Sequence, residues 1–200
     1  MARICKTLKI IFFFSFLSSF NYEQKDIINI SNYLNEIKSF DSNFIQINSN
    51  GDNLSGNIKL SKPNLLRIEY NPPINRLIIS DGKKLAIINK KQKTINFYNV
   101  NQLPVKILLD EKFKISNHKI KKFEKKEGII IIELRVMDES NISNVELIFE
   151  SSPLNLKKWV IRDFQGYQTE MYLTNTRIND KIDKKNYIIE DPRQIPFGNK

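Results

Sequence analysis

Cysteine is almost absent: the 200 residues contain one, Cys5. A disulfide framework and a cysteine-built metal site are therefore excluded, since each needs at least two thiols. Histidine is as scarce. His118 stands between Asn117 and Lys119, with no partner at metal-ligand spacing, and is expected on a surface strand. Only six glycines occur, and none builds the clustered loop that cradles a phosphate. Ser80 and Ser143 have no base at a readable spacing. Asp81 and Asp163 stand beside turns, where aspartate is favoured for its bonds to local backbone. With no catalytic constellation, the chain reads as a protein without enzymatic activity, metal or cofactor. A long apolar run is missing too. The longest stretch, residues 8–17, falls short of the roughly 20 residues a membrane helix needs.

What that stretch does have is context. Arg3, Lys6 and Lys9 accompany its start, Ser18 and Ser19 follow it, and polarity begins at Asn21. This is the layout of a secretory signal peptide; a short uncleaved anchor is the alternative. Residues 1–20 are expected to be removed on export and residues 21–200 to form one domain, long enough for a sizeable core. Cys5 precedes the apolar run and leaves with it, so the exported chain is expected to be soluble and not itself lipidated.

Basic residues outnumber acidic ones, 32 against 22, for a net charge of +10. The lysines are scattered among asparagine and isoleucine, with short clusters at Lys121-Lys122 and Lys125-Lys126. A nucleic-acid reader concentrates its charge in a stripe with interleaved aromatics, and export also argues against that partner. A solvated surface is the plain reading, with attraction to anionic membranes or acidic partners as the alternative.

Periodicity sets the fold class. Ile27, Ile30, Leu34 and Ile37 recur at spacings of three and four, predicting a helix over residues 26–38 with one apolar stripe. The period then becomes two. Leu54, Ile58 and Leu60, then Val145, Leu147 and Phe149, then Met171 and Leu173 alternate with polar neighbours, as in antiparallel strands with one wet face. Trp159 and Ile161 extend the inward set. Turn signals separate the strands, among them Asn50-Gly51-Asp52, Asn71-Pro72-Pro73 and Asp81-Gly82. Leu103, Pro104, Ile107 and Leu108 fit a short amphipathic helix with proline in its first turn. Residues 129–132 are apolar on both faces, so their outward side chains are expected under another segment, such as the short helix or the C-terminal tail, or at a partner surface. The tail from Asp180 is polar and expected as extended chain or loop. The outline is mainly β: a helix, five or six strands, a helical interruption, then four or five strands, a meander of about ten strands curling into a barrel or half-barrel.

The segment Gly56-Asn57-Ile58-Lys59-Leu60-Ser61-Lys62-Pro63-Asn64-Leu65-Leu66-Arg67-Ile68-Glu69-Tyr70 resembles a characteristic stretch of the outer-membrane lipoprotein carrier protein (LolA) family. Pro72-Pro73 with Leu77-Ile78-Ile79-Ser80-Asp81-Gly82-Lys83 continues it. Leu156-Lys157-Lys158-Trp159-Val160-Ile161-Arg162-Asp163 followed by Gln165-Gly166 is similar to its late strands. The resemblance implies an unclosed antiparallel β-barrel with a helical lid, located in the periplasm. It implies acylated lipoproteins as cargo, an inner-membrane ATP-driven complex that releases them to the carrier, and in some bacteria an outer-membrane receptor lipoprotein that accepts them. A monomer is expected. Leu54, Ile58, Leu60, Val145, Leu147, Phe149, Trp159, Ile161, Met171 and Leu173 become candidate acyl-chain cavity residues, and Leu103, Pro104, Ile107 and Leu108 the lid helix. Arg67 matches the family's arginine that closes the lid through hydrogen bonds to lid-helix carbonyls; the alternative is an arginine on the wet face paired with Glu69. Competing readings are a related lipoprotein receptor or envelope-stress-sensing domain of the same fold, and a structural β-protein with a packed core.

Overall fold

The computed structural model describes residues 23–103, 106–115, 118–137 and 142–194. The expected signal peptide, residues 1–20, and Pro104 of the expected lid helix lie outside the described residues.

Helix α1 covers described residues 23–36. It presents the predicted stripe to the interior, with Ile30, Leu34 and the adjoining Ile37 buried. Each such side chain contributes about 1.5–3 kcal/mol by leaving water. The chain then enters a meander: β1 (Ser39–Asn48), β2 (Asn53–Ser61), β3 (Leu65–Tyr70), β4 (Arg76–Asp81), β5 (Leu85–Asn89) and β6 (Thr94–Tyr98). A 3-10 turn (Val100–Gln102) and a single-turn helix α2 (Lys106–Leu109) follow. A second meander completes the sheet: β7 (Lys119–Lys126), β8 (Ile129–Met137), β9 (Ile142–Ser151), β10 (Leu154–Arg162) and β11 (Gln168–Ile178). Among the described residues eleven strands form, rather than about ten, six before the interruption and five after it.

One long-range pairing joins the two meanders. β1 runs antiparallel to β11, with Phe44 opposite Leu173 and Gln46 opposite Met171. The sheet order is therefore β6-β5-β4-β3-β2-β1-β11-β10-β9-β8-β7. The sheet stays open, and its two edges are β6 and β7. These edges are consecutive in sequence, so the segment between them must cross the open side. That segment carries α2, whose Ile107, Leu108 and Leu109 are buried in the same apolar cluster as α1 and the inner sheet face. The topology itself makes the described part of this connection, 99–103, 106–115 and 118, a lid.

The close approach of β3 to β2 requires Gly56. A Cβ there would meet the Glu69 carbonyl oxygen at 2.1 Å and the Phe44 ring at 2.8 Å.

The outer face is mixed. Arg67 and Glu69 lie on it, while Leu77, Ile79, Ala86 and Ile88 form a second apolar cluster with Ile95 and Ile189. The tail covers part of this face. The Asn179 N–H donates to Ser39 O, a 3-10 turn spans Lys184–Tyr187, and Tyr187 is buried with its hydroxyl 2.9 Å from Ser61 Oγ. The polar tail is thus a strap across the outer sheet. Ile130 and Ile132 join the inner core; Ile129, of opposite parity, is 39% exposed.

Candidate functional site

The interior is a sandwich of two unequal layers, the inner face of the sheet and the two elements that cover it as a lid, α1 and the segment carrying α2. Between them is a narrow gap lined by Leu34 of α1 and the adjoining Ile37, Phe40 of β1, Leu60 of β2, Leu108 of α2, Leu156 and Trp159 of β10, and Lys62. Its volume open to the centre of a water-sized sphere is about 10 Å³, room for about one water. The closed lid therefore fills the space between the layers with its own apolar side chains.

Polar bonds hold the lid. Lys62, in the β2–β3 turn, donates from Nζ to the Leu34 carbonyl at 2.6 Å. Leu34 is in the last turn of α1, where carbonyls lack helical partners and the helix dipole favours a cation. Burial pushes the Lys62 amine down to about 8, aided by the charge of Lys38 and opposed by Asp110. In the same turn, the Asn64 N–H donates to Leu109 O at 3.0 Å and so holds the end of α2. Asn35 ties the lid elements together. Its side chain donates to Phe113 O at 3.0 Å and accepts from Phe113 N–H at 2.7 Å. Tyr33 anchors α1 to β10 by accepting from the Leu156 N–H at 3.1 Å and donating to Asn155 Oδ1 at 3.3 Å. Burial raises its phenol above the ordinary range, and the Leu156 N–H works against that shift. Removing this hydroxyl leaves a strand N–H without its acceptor, a loss of about 1–3 kcal/mol. Tyr33→Phe is accordingly expected to lower the denaturant midpoint without changing the m-value; an unchanged midpoint would show that the anchor does not contribute.

The expectation for Arg67 as a lid-closing residue is corrected here. Leu66, Ile68 and Tyr70 point inward, so Arg67 points outward by alternation. Its guanidinium bonds Glu69 Oε2 at 2.7 and 3.2 Å and the Asn186 carbonyl at 3.3 Å, on the strap side. Lid-helix carbonyls are bonded instead by the Lys62 side chain, five positions earlier, and by the Asn64 N–H. The sequence signal for Lys62 was weak: a turn lysine before Pro63 has no alternation to aim it.

All ten candidate cavity residues lie in or against the inner apolar cluster. Leu60 and Trp159 also line the residual gap, whereas Ile58, Leu147 and Phe149 are fully enclosed. Of the lid candidates, Ile107 and Leu108 are buried and Leu103 packs against the same cluster. Phe40, Phe44 and Leu156 also join the cluster but were not in the alternating set. Bulges shift the register of β1 at Asp41/Asn43 and of β10 at Leu156/Lys158, which hides their parity.

Three of the polar residues weighed for chemistry, Ser80, Asp81 and Asp163, have local partners. Ser80 Oγ donates to Asn64 O, Asp81 accepts from the N–H groups of Lys83 and Lys84, and Asp163 accepts from those of Gln165 and Tyr167. His118 stacks on Phe113 with centroids 5.7 Å apart. It belongs to the lid rather than to a surface strand, and burial lowers its pKa against the opposing charge of Asp110. Among the described residues no group of three His, Cys, Asp or Glu side chains could hold a metal ion, and no helix is long and apolar enough to cross a membrane.

The sequence model of the family described as "Outer membrane lipoprotein carrier protein LolA" matches residues 35–190. The outer-membrane lipoprotein carrier protein of Pseudomonas fluorescens (strain Pf0-1) is 22% identical over 185 residues, covering 86% of this chain and 87% of that protein. That of Legionella pneumophila (strain Corby) is 24% identical over 172 residues, covering 81% and 84%. Among solved structures, a LolA superfamily protein from Nitrosomonas europaea aligns with a TM-score of 0.46 at 12% identity, over 80% of this chain and 96% of that one.

Proposed function

Because this chain belongs to the outer membrane lipoprotein carrier protein LolA family, we propose that it is a periplasmic carrier that takes the acyl chains of lipoproteins beneath its lid and moves them from the inner to the outer membrane. An inner-membrane ATP-driven complex supplies the cargo in this reading, and an outer-membrane receptor lipoprotein accepts it where one exists. The carrier acts as a monomer and makes no covalent change.

One observation carries the reading: an apolar inner sheet face capped by a lid that is itself apolar and is held by few polar bonds. The physical problem is solvation. Each methylene of an acyl chain costs about 0.8 kcal/mol to expose to water, so a lipid anchor cannot cross an aqueous space bare. The closed gap is too small for any acyl chain. Loading must displace Leu34, Ile37 and Leu108 from the sheet and put acyl chains in their place. That exchanges one apolar contact for another, so the net affinity is far below the gross burial. A carrier that must release its cargo needs this compensation.

The competing reading, a structural β-protein with a packed core, draws on the same small gap. An environment-sensitive fluorescent fatty acid separates the two. A carrier binds it saturably and gives it up to lipoprotein; a rigid core excludes it. Purification of the exported protein from cells, with mass spectrometry of what accompanies it, is expected to recover acylated lipoproteins. Their consistent absence, together with no probe binding, overturns the carrier assignment.

A further inference from the structure

The net charge is not spread over the fold. Residues 82–126 contain thirteen lysines and three acids, Asp110, Glu111 and Glu124. The rest of the chain from residue 21 contains sixteen basic and nineteen acidic residues. The basic segment comprises β5, the edge strand β6, the lid and the other edge strand β7. Along the sequence these lysines look scattered. Folding collects them on the rim of the open side, because the two sheet edges and the lid are one continuous stretch of chain.

Flanking acids do not cancel this charge. Lys90 pairs with Glu69, Lys121 with Glu133, Lys125 with Asp26 and Lys126 with Glu127. Asp81 also lies against Lys83 and Lys84; counting these five carboxylates, thirteen lysines still face eight acids. The same rim exposes two adjacent aromatics on β6, Phe97 at 55% and Tyr98 at 49%. The Lys84 ammonium lies 5.8 Å from the Phe97 ring centroid. Exposed aromatics beside lysines suit a membrane–water interface, where rings enter the headgroup layer and ammonium groups meet phosphates.

We propose that this rim docks the protein, open side first, on the surface of a bilayer containing anionic phospholipids, with Phe97 and Tyr98 entering the interface. The contact is peripheral and electrostatic, needs no cargo, and does not rest on the carrier assignment. It places the mouth of the fold against the surface from which or to which a lipid would pass.

The test is flotation of the exported, cargo-free protein with vesicles. Vesicles of phosphatidylcholine with about one-third phosphatidylglycerol are expected to carry the protein at low salt. Binding should fall steeply as ionic strength shortens the screening length below about 10 Å, and pure phosphatidylcholine should carry little. Each rim lysine is worth roughly fivefold in affinity, so Lys83→Gln/Lys84→Gln/Lys91→Gln should weaken binding by about a hundredfold. Phe97→Ser/Tyr98→Ser should weaken it further at fixed charge. Lys181→Gln/Lys184→Gln/Lys185→Gln makes the same charge change on the strap and should bind nearly as the unaltered protein does. Circular dichroism checks that each variant is folded. Equal binding to neutral vesicles, equal loss in the strap variant, or no vesicle binding at low salt overturns the proposal; salt-sensitive capture of an acidic protein in the last case assigns the rim to a protein partner instead. The fatty-acid assay is independent, so failure here is distinguishable from failure of the carrier reading.

Discussion

Gly56→Ala is expected to lower the unfolding midpoint by about 6–12 °C, from a destabilisation of about 3 kcal/mol in a domain of this size. The new methyl carbon would lie 2.1 Å from the Glu69 carbonyl oxygen, a backbone atom of the paired strand, and 2.8 Å from Cζ of Phe44. Neither neighbour can yield cheaply. Glu69 is held in the β2–β3 ladder, opposite Asn57. Phe44 is buried and packs edge-on against Tyr70 at 5.3 Å, and the Tyr70 hydroxyl donates to Gln46 at 2.7 Å. Relief therefore requires either separating two central strands or moving a ring that anchors an interior hydrogen bond. Thermal unfolding followed by circular dichroism measures the effect, with Asn53→Ala, exposed on the same strand, as the neutral reference. A midpoint within about 2 °C of the unaltered protein would show that the sheet accommodates a side chain there, and the close approach would lose its structural meaning.

Gly56 also illustrates what a sequence can and cannot disclose. A glycine inside an alternating strand marks a close approach of backbone or ring, but not which partner approaches. The alternation of β2, β9 and β11 was legible because one face of each is wet. For the same reason all ten inward candidates fall in or against the inner cluster. The open sheet was legible as a strand count but not as an order: pairing β1 with β11 links positions about 130 residues apart, and no local pattern encodes that. The strap was missed because its anchor, Tyr187, is one aromatic in a polar stretch. The rim charge was missed because nothing local in residues 82–126, where these lysines lie, says that this stretch supplies both sheet edges and the lid. The outward aim of Arg67 followed from parity alone, and the resemblance to a family arginine pointed the other way.

The bond from Lys62 to the Leu34 carbonyl is the latch of the lid, and its loss should have the largest effect on function. Lys62→Met is expected to raise acyl-probe affinity by roughly tenfold and to slow transfer of bound lipoprotein to acceptor membranes by a similar factor. In the proposed carrier role the closed lid and the cargo compete for one apolar surface, so weakening the closed state strengthens binding. Methionine keeps much of the apolar stem but leaves the Leu34 carbonyl without its charged donor. A hydrogen bond to a charged group is worth about 1.5–3 kcal/mol, and an orphaned buried carbonyl costs about 1–3. Relief of the buried ammonium offsets part of this, leaving a net weakening of about 1–2 kcal/mol, or about tenfold. Arg67→Leu should transfer cargo nearly at the unaltered rate, because its bonds run to Glu69 and the strap. The pH dependence gives an independent reading. In the closed state burial holds Lys62 at about 8, below the ordinary 10.5; with the lid open the amine is hydrated and returns toward its ordinary value. Below pH 8 it is charged in both states and closure bears the full cost of burying the charge. Between about 8 and 10.5 the open state holds the extra proton, so rising pH favours closure, and a neutral amine still donates to Leu34. Probe affinity should therefore fall across that window in the unaltered protein and lose that slope in Lys62→Met. Transfer at the unaltered rate in Lys62→Met, with the slope intact, would remove Lys62 from the latch.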